Sequence, residues 1–574
     1  MHSNDELFLV TSKLTDDDNY INKIFLGTWC FDINENFANR AKIIDYHLKL
    51  NENFEVSHDY LQVVYEKVLK ALTSYLNLLH KKNFDNEYWR IVIGPWLTIY
   101  IPVIWDRWNI VTEAFKFNNK YIIKKVSNNR PALFLNYDEF VSEVINDKLN
   151  TILFNKIIEF EYNDRVDWVD DITLLETKKP NTKNSTLSSL VKVYNKLISL
   201  IFGSPKILFI THYFNKLFYI KLSLSLRQIP RYFDYTFDAH KNNQKLKDRN
   251  IHSEIDMIQE NRFETFLSKN ILLDLPASYI ETYDYIRSSI NMLKLYPKAI
   301  FTANSYWNND SFKIWLAEQR KTSKILISEH GGGLQLSING FSHENTIANQ
   351  YVIWTTVGKN NEKQLTPNKT NKYNKSYTQN GDCVIVGLEV PKYCYFFHSF
   401  PTSSNFVTFF KNTDLLIQHL LNDKEVQVKY KPYPNLGWNT SKYISTKYNE
   451  ELIINDSFNE ILKKSKLIVC TYPQTTFTEA MTYGIPTILV ISKNDFIFRK
   501  DTEELIEHLL KAKILFYDVE LASKHICEIW NDIDSWWLSK PVIAARDSYL
   551  FNYLKHSENP LREWSTYFKE ILND

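Results

Sequence analysis

Residues 466–489 (KLIVCTYPQTTFTEAMTYGIPTIL) read as a strand, a polar loop, a helix and a second strand, which leaves room for little besides a parallel α/β sheet. Leu467 to Cys470 is a short apolar run with the look of a buried parallel strand. The loop Thr471-Tyr472-Pro473-Gln474-Thr475-Thr476 follows, then Phe477, Ala480 and Met481 on one helical face. Gly484 and Pro486 end the helix, and Thr487–Ile491 is the next strand. Such a unit offers its helix N-terminus as an anion site, with the Thr475 and Thr476 hydroxyls beside it and Glu479 just inside. A phosphate and a ribose hydroxyl would suit those groups. A Thr N-cap paired with Glu at N3, a plain capping box, fits the same letters. Spacing alone leaves the two open.

At 574 residues the chain is too long for one ordinary core. With 68 basic and 67 acidic residues its net charge is +1, which argues against bulk nucleic-acid binding, since that needs a basic face. The five cysteines (Cys30, Cys383, Cys394, Cys470, Cys527) are scattered, with no zinc or CxxC spacing, as expected of reduced thiols in a cytoplasmic protein. The N-terminal MHSNDELFLV lacks the charged-then-apolar pattern of a signal peptide. The longest uncharged run, Ile91–Trp105, holds two prolines and is short for a membrane span, so it is expected as buried strand and turn.

Strands are expected at Leu7–Thr11, Ile24–Gly27, Lys206–Ile210, Ala299–Thr302, Lys324–Ser328, Gln350–Thr355, Cys383–Gly387 and Val426–Tyr430. Residues 58–80 carry apolar side chains at helical spacing. Thr177–Ser188 is an expected exposed loop, and the charged, Asn-rich stretch 358–380 an expected hinge. This gives an N-terminal acceptor-side α/β domain with helical insertions over 1–357 and a linker over 358–380. A nucleotide-binding α/β domain covers 381–500, and a helical segment over 501–574 packs back across the hinge.

Three loops at strand ends carry the candidate chemistry. Glu329-His330-Gly331-Gly332-Gly333 places a histidine beside glycines that let backbone approach a ligand closely. It is neither a Walker loop nor GxGxxG. Glu344 lies shortly downstream, and His343 is expected as an exposed loop histidine. Lys431 sits in Lys429-Tyr430-Lys431-Pro432-Tyr433-Pro434, held extended by two prolines. Thr475, Thr476 and Glu479 complete the set. Asp16-Asp17-Asp18 and Asp170-Asp171 are expected as solvated acidic turns, and no obligatory metal or other cofactor is expected.

Taken together, the stretches LFLVT, FLGTWC, YWRIVIGPWL, ISEHGG, KPYPNLGW, SKLIVCTYPQTTFTEAMTYGIPTIL and DIDSWW resemble the transferases of bacterial O-antigen and surface-polysaccharide gene clusters. They run from the first strand to the tail. More remotely the chain is similar to capsule polysaccharide transferases and CDP-glycerol glycerophosphotransferases. The resemblance implies a GT-B-like fold of two doubly wound Rossmann-type domains facing a cleft, with extra N- and C-terminal helices. It implies a cytoplasmic glycosyltransferase, peripheral to the inner membrane or in a biosynthetic complex, moving a sugar from a nucleotide donor to a glycan or lipid-linked acceptor. A phosphoalcohol transferase and a non-catalytic glycan- or nucleotide-binding subunit are the alternatives. His330, with Glu329 beside it, takes the place of catalytic base or donor-phosphate ligand. Gly331, Gly332, Gly333, Lys431, Tyr433, Thr475, Thr476 and Glu479 fall on the donor side. Three positions depart from the family pattern: Thr28 stands where an acid is expected, Lys431 where an arginine is expected, and Gly333-Leu334 where Tyr-Gly is expected. Lysine keeps the charge but loses the bidentate fork.

Overall fold

A computed structural model describes residues 7–33, 42–126, 134–172, 194, 197–198, 201–231, 249, 254–291, 295–331, 336, 341–356, 358–369, 377–394, 397 and 401–573. The loop expected at Thr177–Ser188 lies outside them, as do Gly332 and Gly333.

Three five-stranded parallel sheets stand in chain order among the described residues. The first contains β1 (Phe8–Val10), β2 (Lys23–Phe25), β3 (Lys42–Ile43), β4 (Tyr121–Val126) and β5 (Val166–Ile172) in the order β3-β2-β1-β4-β5. The second contains β6 (Ile207–Ile210), β7 (Ala299–Thr302), β8 (Lys324–Ser328), β9 (Gln350–Ile353) and β10 (Glu362–Gln364), laid side by side in chain order. The third contains β11 (Asp382–Val386), β12 (Val428–Lys431), β13 (Ser465–Cys470), β14 (Thr487–Val490) and β15 (Leu515–Phe516) in the order β12-β11-β13-β14-β15. The protein is thus an α/β protein of parallel, Rossmann-type sheets, two of which lie before residue 365. Because β10 is an edge strand on β9, the link to the third sheet starts after Gln364 and not at 358.

Ile91–Trp105 departs from its expected strand and turn. It is the middle of a 32-residue helix, Asn86–Phe117 (α2), which lies against a 31-residue helix, Leu50–His80 (α1). Asp85 starts α2 by accepting from the Tyr88 amide, and the run is buried on every side. All-round burial erases the helical period that would have marked it. Pro95 and Pro102 sit inside the helix, and the Thr98 hydroxyl donates to the Pro95 carbonyl. Among the described residues no helix is long and apolar enough to cross a membrane.

Further along the chain come Lys216–Ser225 (α3), which follows β6, and Thr475–Tyr483 (α4), which follows β13. The tail first packs Lys540–Tyr553 (α5) on α4, where the Thr478 and Tyr549 hydroxyls lie 2.8 Å apart. It then crosses back: Lys555 N–H donates to the Trp354 carbonyl, and Pro560–Asn573 (α6) covers the second sheet. Trp564 and Phe568 of α6 pack edge-on against Phe301, with centroids 5.6 and 5.3 Å away. Burying Phe568 alone contributes about 1.5–3 kcal/mol. The five cysteines are free thiols.

Candidate active site between the second and third sheets

In the third sheet the chain order reverses between β11 and β13. The crevice outside the carboxyl ends of the strands at such a reversal is where parallel α/β sheets bind ligands. The loop after β13 is drawn into it, because the Thr471 amide and hydroxyl both donate to the Val386 carbonyl at the end of β11. The N-cap of α4 is Gln474, with no side-chain cap bond. Thr475 and Thr476 therefore open the helix, Phe477 holds N3, and Glu479 lies a turn inside. A capping box is excluded, and the helix dipole gives the start of α4 a positive character. The Thr476 Oγ1 atom is buried without a hydrogen-bond partner.

The loop after β8 meets this helix end. A Cβ placed on Gly331 would lie 2.9 Å from Thr475 Oγ1, so only a glycine lets the two loops approach this closely. His330, just before it, is half-buried. Burial pushes its pKa below the ordinary value, the Lys369 charge pushes the same way, and a hydrogen bond to the Ala303 carbonyl opposes both. A neutral imidazole carries a proton on one ring nitrogen and leaves the other as an acceptor. Tyr213, from the loop after β6, lies parallel to the imidazole at 6.0 Å. Its hydroxyl accepts from Asn304 at the end of β7, at 2.7 Å.

Glu329 faces away from solvent. Its Oε2 accepts from the Trp354 amide at 2.9 Å, and its Oε1 is buried without a partner. Burial raises its pKa to about 8, against the Trp354 hydrogen bond and with help from Glu344 and Glu362. It is a neutral acid at pH 7, pinning the end of β8 to the segment after β9. Glu344 lies in the same acidic neighbourhood, its own pKa raised by burial.

Lys369, which the sequence reading passed over, acts electrostatically on both His330 and Glu479. Burial raises the Glu479 pKa, and the Lys369 charge partly offsets that. The lysine sits in a Lys- and Asn-rich stretch that gave it no distinguishing mark. Glu389 was missed for a different reason. Its carboxylate takes hydrogen bonds from the Leu436, Trp438 and Thr440 amides and the Thr440 hydroxyl, partners 47 to 51 residues away. Those bonds shape the loop after Lys431-Pro432-Tyr433-Pro434. Lys431 ends β12 beside the reversal and forms no ion pair among the described residues. Tyr433 meets Tyr472 edge-on at 6.4 Å, joining this loop to the one before α4.

Several expectations fall elsewhere. His343 is buried, not exposed: it fills a notch over Gly94 of α2, where a Cβ would come within 2.6 Å of its ring. Desolvation lowers its pKa to about 3. Thr28 is also buried and donates to the Ser403 carbonyl at 3.0 Å, tying the first sheet to the third. Asp17 pairs with Lys124, and Asp16 and Asp18 with Lys23. Among the described residues no group of three or more His, Cys, Asp or Glu could hold a metal ion.

One family model, that of the LIC12162 family transferases, matches residues 7–568. The chain belongs to that family. Being a transferase of this family, it carries the loops described above within the matched span. A comparison with curated proteins finds none that matches. Solved structures with some likeness include MurG of Acinetobacter baumannii, at 14% identity and a TM-score of 0.28 over 50% of this chain and 77% of that one. The wall teichoic acid polymerase TagF matches at 10% identity and 0.32, over 67% and 96%. An E. coli trehalose-6-phosphate structure bound with UDP-2-fluoro glucose matches at 10% and 0.31, over 57% and 86%. Overlaps this loose add nothing to the argument, and the fold rests on the three sheets.

Proposed function

We propose that this transferase is a GT-B-type glycosyltransferase that moves a sugar from a nucleotide donor to a surface-glycan or lipid-linked acceptor on the cytoplasmic side. The observation that carries the reading is the meeting of His330-Gly331 with the uncapped N-terminus of α4 at Thr475. A neutral imidazole beside an anion-accepting helix end suits attack by a hydroxyl on a phosphate-activated centre. His330 takes the acceptor proton as the hydroxyl oxygen bonds to the sugar carbon, and the bond from that carbon to the donor phosphate breaks. The α4 amides, Thr475, Thr476, Lys431 and Lys369 receive the departing phosphate. Glu479 and Tyr433 hold the nucleoside.

A thermal-shift screen with CMP, CDP, UDP, GDP and dTDP tests the donor site. A free ligand at about 100 times its Kd adds ~2.7 kcal/mol of stability, so one nucleotide should stand out. If none shifts melting at millimolar concentration, the donor site is wrong. The helix end, Lys431 and Lys369 supply the charge that a divalent cation otherwise would, so transfer is expected to survive EDTA. Turnover abolished by EDTA and restored by Mg²⁺ or Mn²⁺ would refute metal independence. A product with a new phosphodiester would make this a phosphoalcohol transferase using the same cleft. Nucleotide binding without transfer to any extracted acceptor would favour a binding subunit.

A further inference from the structure

The second sheet carries a surface that the reading above does not use. Helix α3 packs Tyr219 and Leu222 inward, with Leu226 just after it, in one core with Trp564 and Phe568 of α6. Its outward positions are Lys216, Leu217, Ile220, Lys221 and Leu224. Leu217 and Leu224 are each 62% exposed and Ile220 37%. At 100° per residue these three form one stripe, with Lys216 on one flank and Lys221 on the other.

Ile201 and Phe202, 69% and 58% exposed, precede Gly203, whose carbonyl accepts from the Arg231 guanidinium at 2.5 Å. Charge is one-sided here. From Lys206 to Arg231 the sequence carries five Lys or Arg and no Asp or Glu, in a chain whose net charge is only +1. Exposed apolar side chains flanked by lysines match the interface of an anionic bilayer, where the apolar groups enter the acyl boundary and the lysines meet headgroup phosphates. The stripe also begins four residues after Tyr213, the ring that lies over His330.

We propose that the outward face of α3 is a docking surface for an anionic lipid bilayer that brings membrane-held acceptors to His330. Only the acceptor in this statement rests on the proposed function; bilayer binding stands separately.

The test is co-sedimentation of the full chain with vesicles of phosphatidylcholine alone, or with about 30% phosphatidylglycerol at low salt. Binding is expected to the anionic vesicles only and to fall as salt rises. The Lys216→Gln/Lys221→Gln variant should bind about thirtyfold more weakly. The Leu217→Gln/Ile220→Gln/Leu224→Gln variant should lose binding while keeping the wild-type melting temperature, because the replaced side chains are exposed. Equal sedimentation of wild type and both variants, or equal binding to neutral vesicles, would overturn the proposal. So would a dimer in solution that the triple variant dissociates, since a second copy would then be the occupant. Nucleotide-dependent transfer to a detergent-dispersed acceptor, without sedimentation, would sink the docking surface and leave the transferase reading intact. Sedimentation without any nucleotide binding would do the reverse.

Discussion

Replacing Gly331 with alanine probes a point where the loop after β8 meets the N-terminus of α4. The added Cβ would lie 2.9 Å from Thr475 Oγ1, about 0.5 Å inside an ordinary carbon–oxygen contact. Thr475 is β-branched and stands at the first position of α4, so rotating it exchanges the hydroxyl for a methyl group or moves the helix end. Overpacking of this size costs about 1–3 kcal/mol. The two loops belong to different sheets, so the strain is relieved by parting them rather than by unfolding either one. The cost then falls on donor affinity, as a loss of roughly 5- to 150-fold. The ligand-free melting temperature should move by no more than about 2–4 °C. Titration calorimetry with the nucleotide found by the thermal-shift screen measures the loss. Thr475→Ala removes the opposing oxygen, so Gly331→Ala/Thr475→Ala should bind better than Thr475→Ala affinity and Gly331→Ala affinity combined independently would give. A Gly331→Ala protein with wild-type affinity, or a double variant showing simple additivity, would refute the contact as the determinant of cleft geometry.

Three further outcomes are expected. The rate of transfer should fall on the acid side along a limb below pH 6.5, because burial and Lys369 both lower the His330 pKa and the base works only when neutral. Lys369→Gln removes one of those causes and should move the limb to higher pH in a kcat/KM profile; a limb that stays put separates the two residues. Glu329 has its folded-state pKa raised to about 8, so the folded protein holds a proton that the unfolded chain releases, and stability should decline between about pH 4.5 and 8. Glu329→Gln mimics the neutral acid and should flatten that decline in urea titrations across the window; an unchanged slope would show that the decline arises elsewhere. Glu389→Ala strips the acceptor from four donors around Thr440 and should cost about 3–5 kcal/mol by chemical denaturation, with a result under 1 kcal/mol excluding that role.

Much of the parallel architecture could be read from apolar runs cut off by glycine or proline, as at Cys383–Gly387 and Leu467–Cys470. Helix α2 could not, because a segment buried on all sides loses the periodicity that separates helix from strand. His343 reads as a loop residue beside Ser342 and Glu344, and only the notch over Gly94, some 250 positions earlier, explains its burial. The choice between capping box and anion site at α4 depended on which backbone position starts the helix. Thr475, Thr476 and Glu479 fit either, and Gln474 as N-cap rules out the capping box. Glu389 and Tyr213 show the other limit, since each draws its role from loops far off in the chain.

The return of the tail to the second sheet has a mechanical consequence. The chain passes between the second and third sheets twice, once after Gln364 and again between Tyr553 and Pro560. Two crossings fix a line through the molecule, whereas a single crossing would allow a swivel. A rotation of the second sheet against the third would thereby be confined largely to that line, and Gly331 would move along an arc relative to Thr475. The same arrangement makes the second sheet and its cover discontinuous in the chain: a protein cut before α6 would bare the aromatic face of Phe209 and Phe301 that Trp564 and Phe568 now cover.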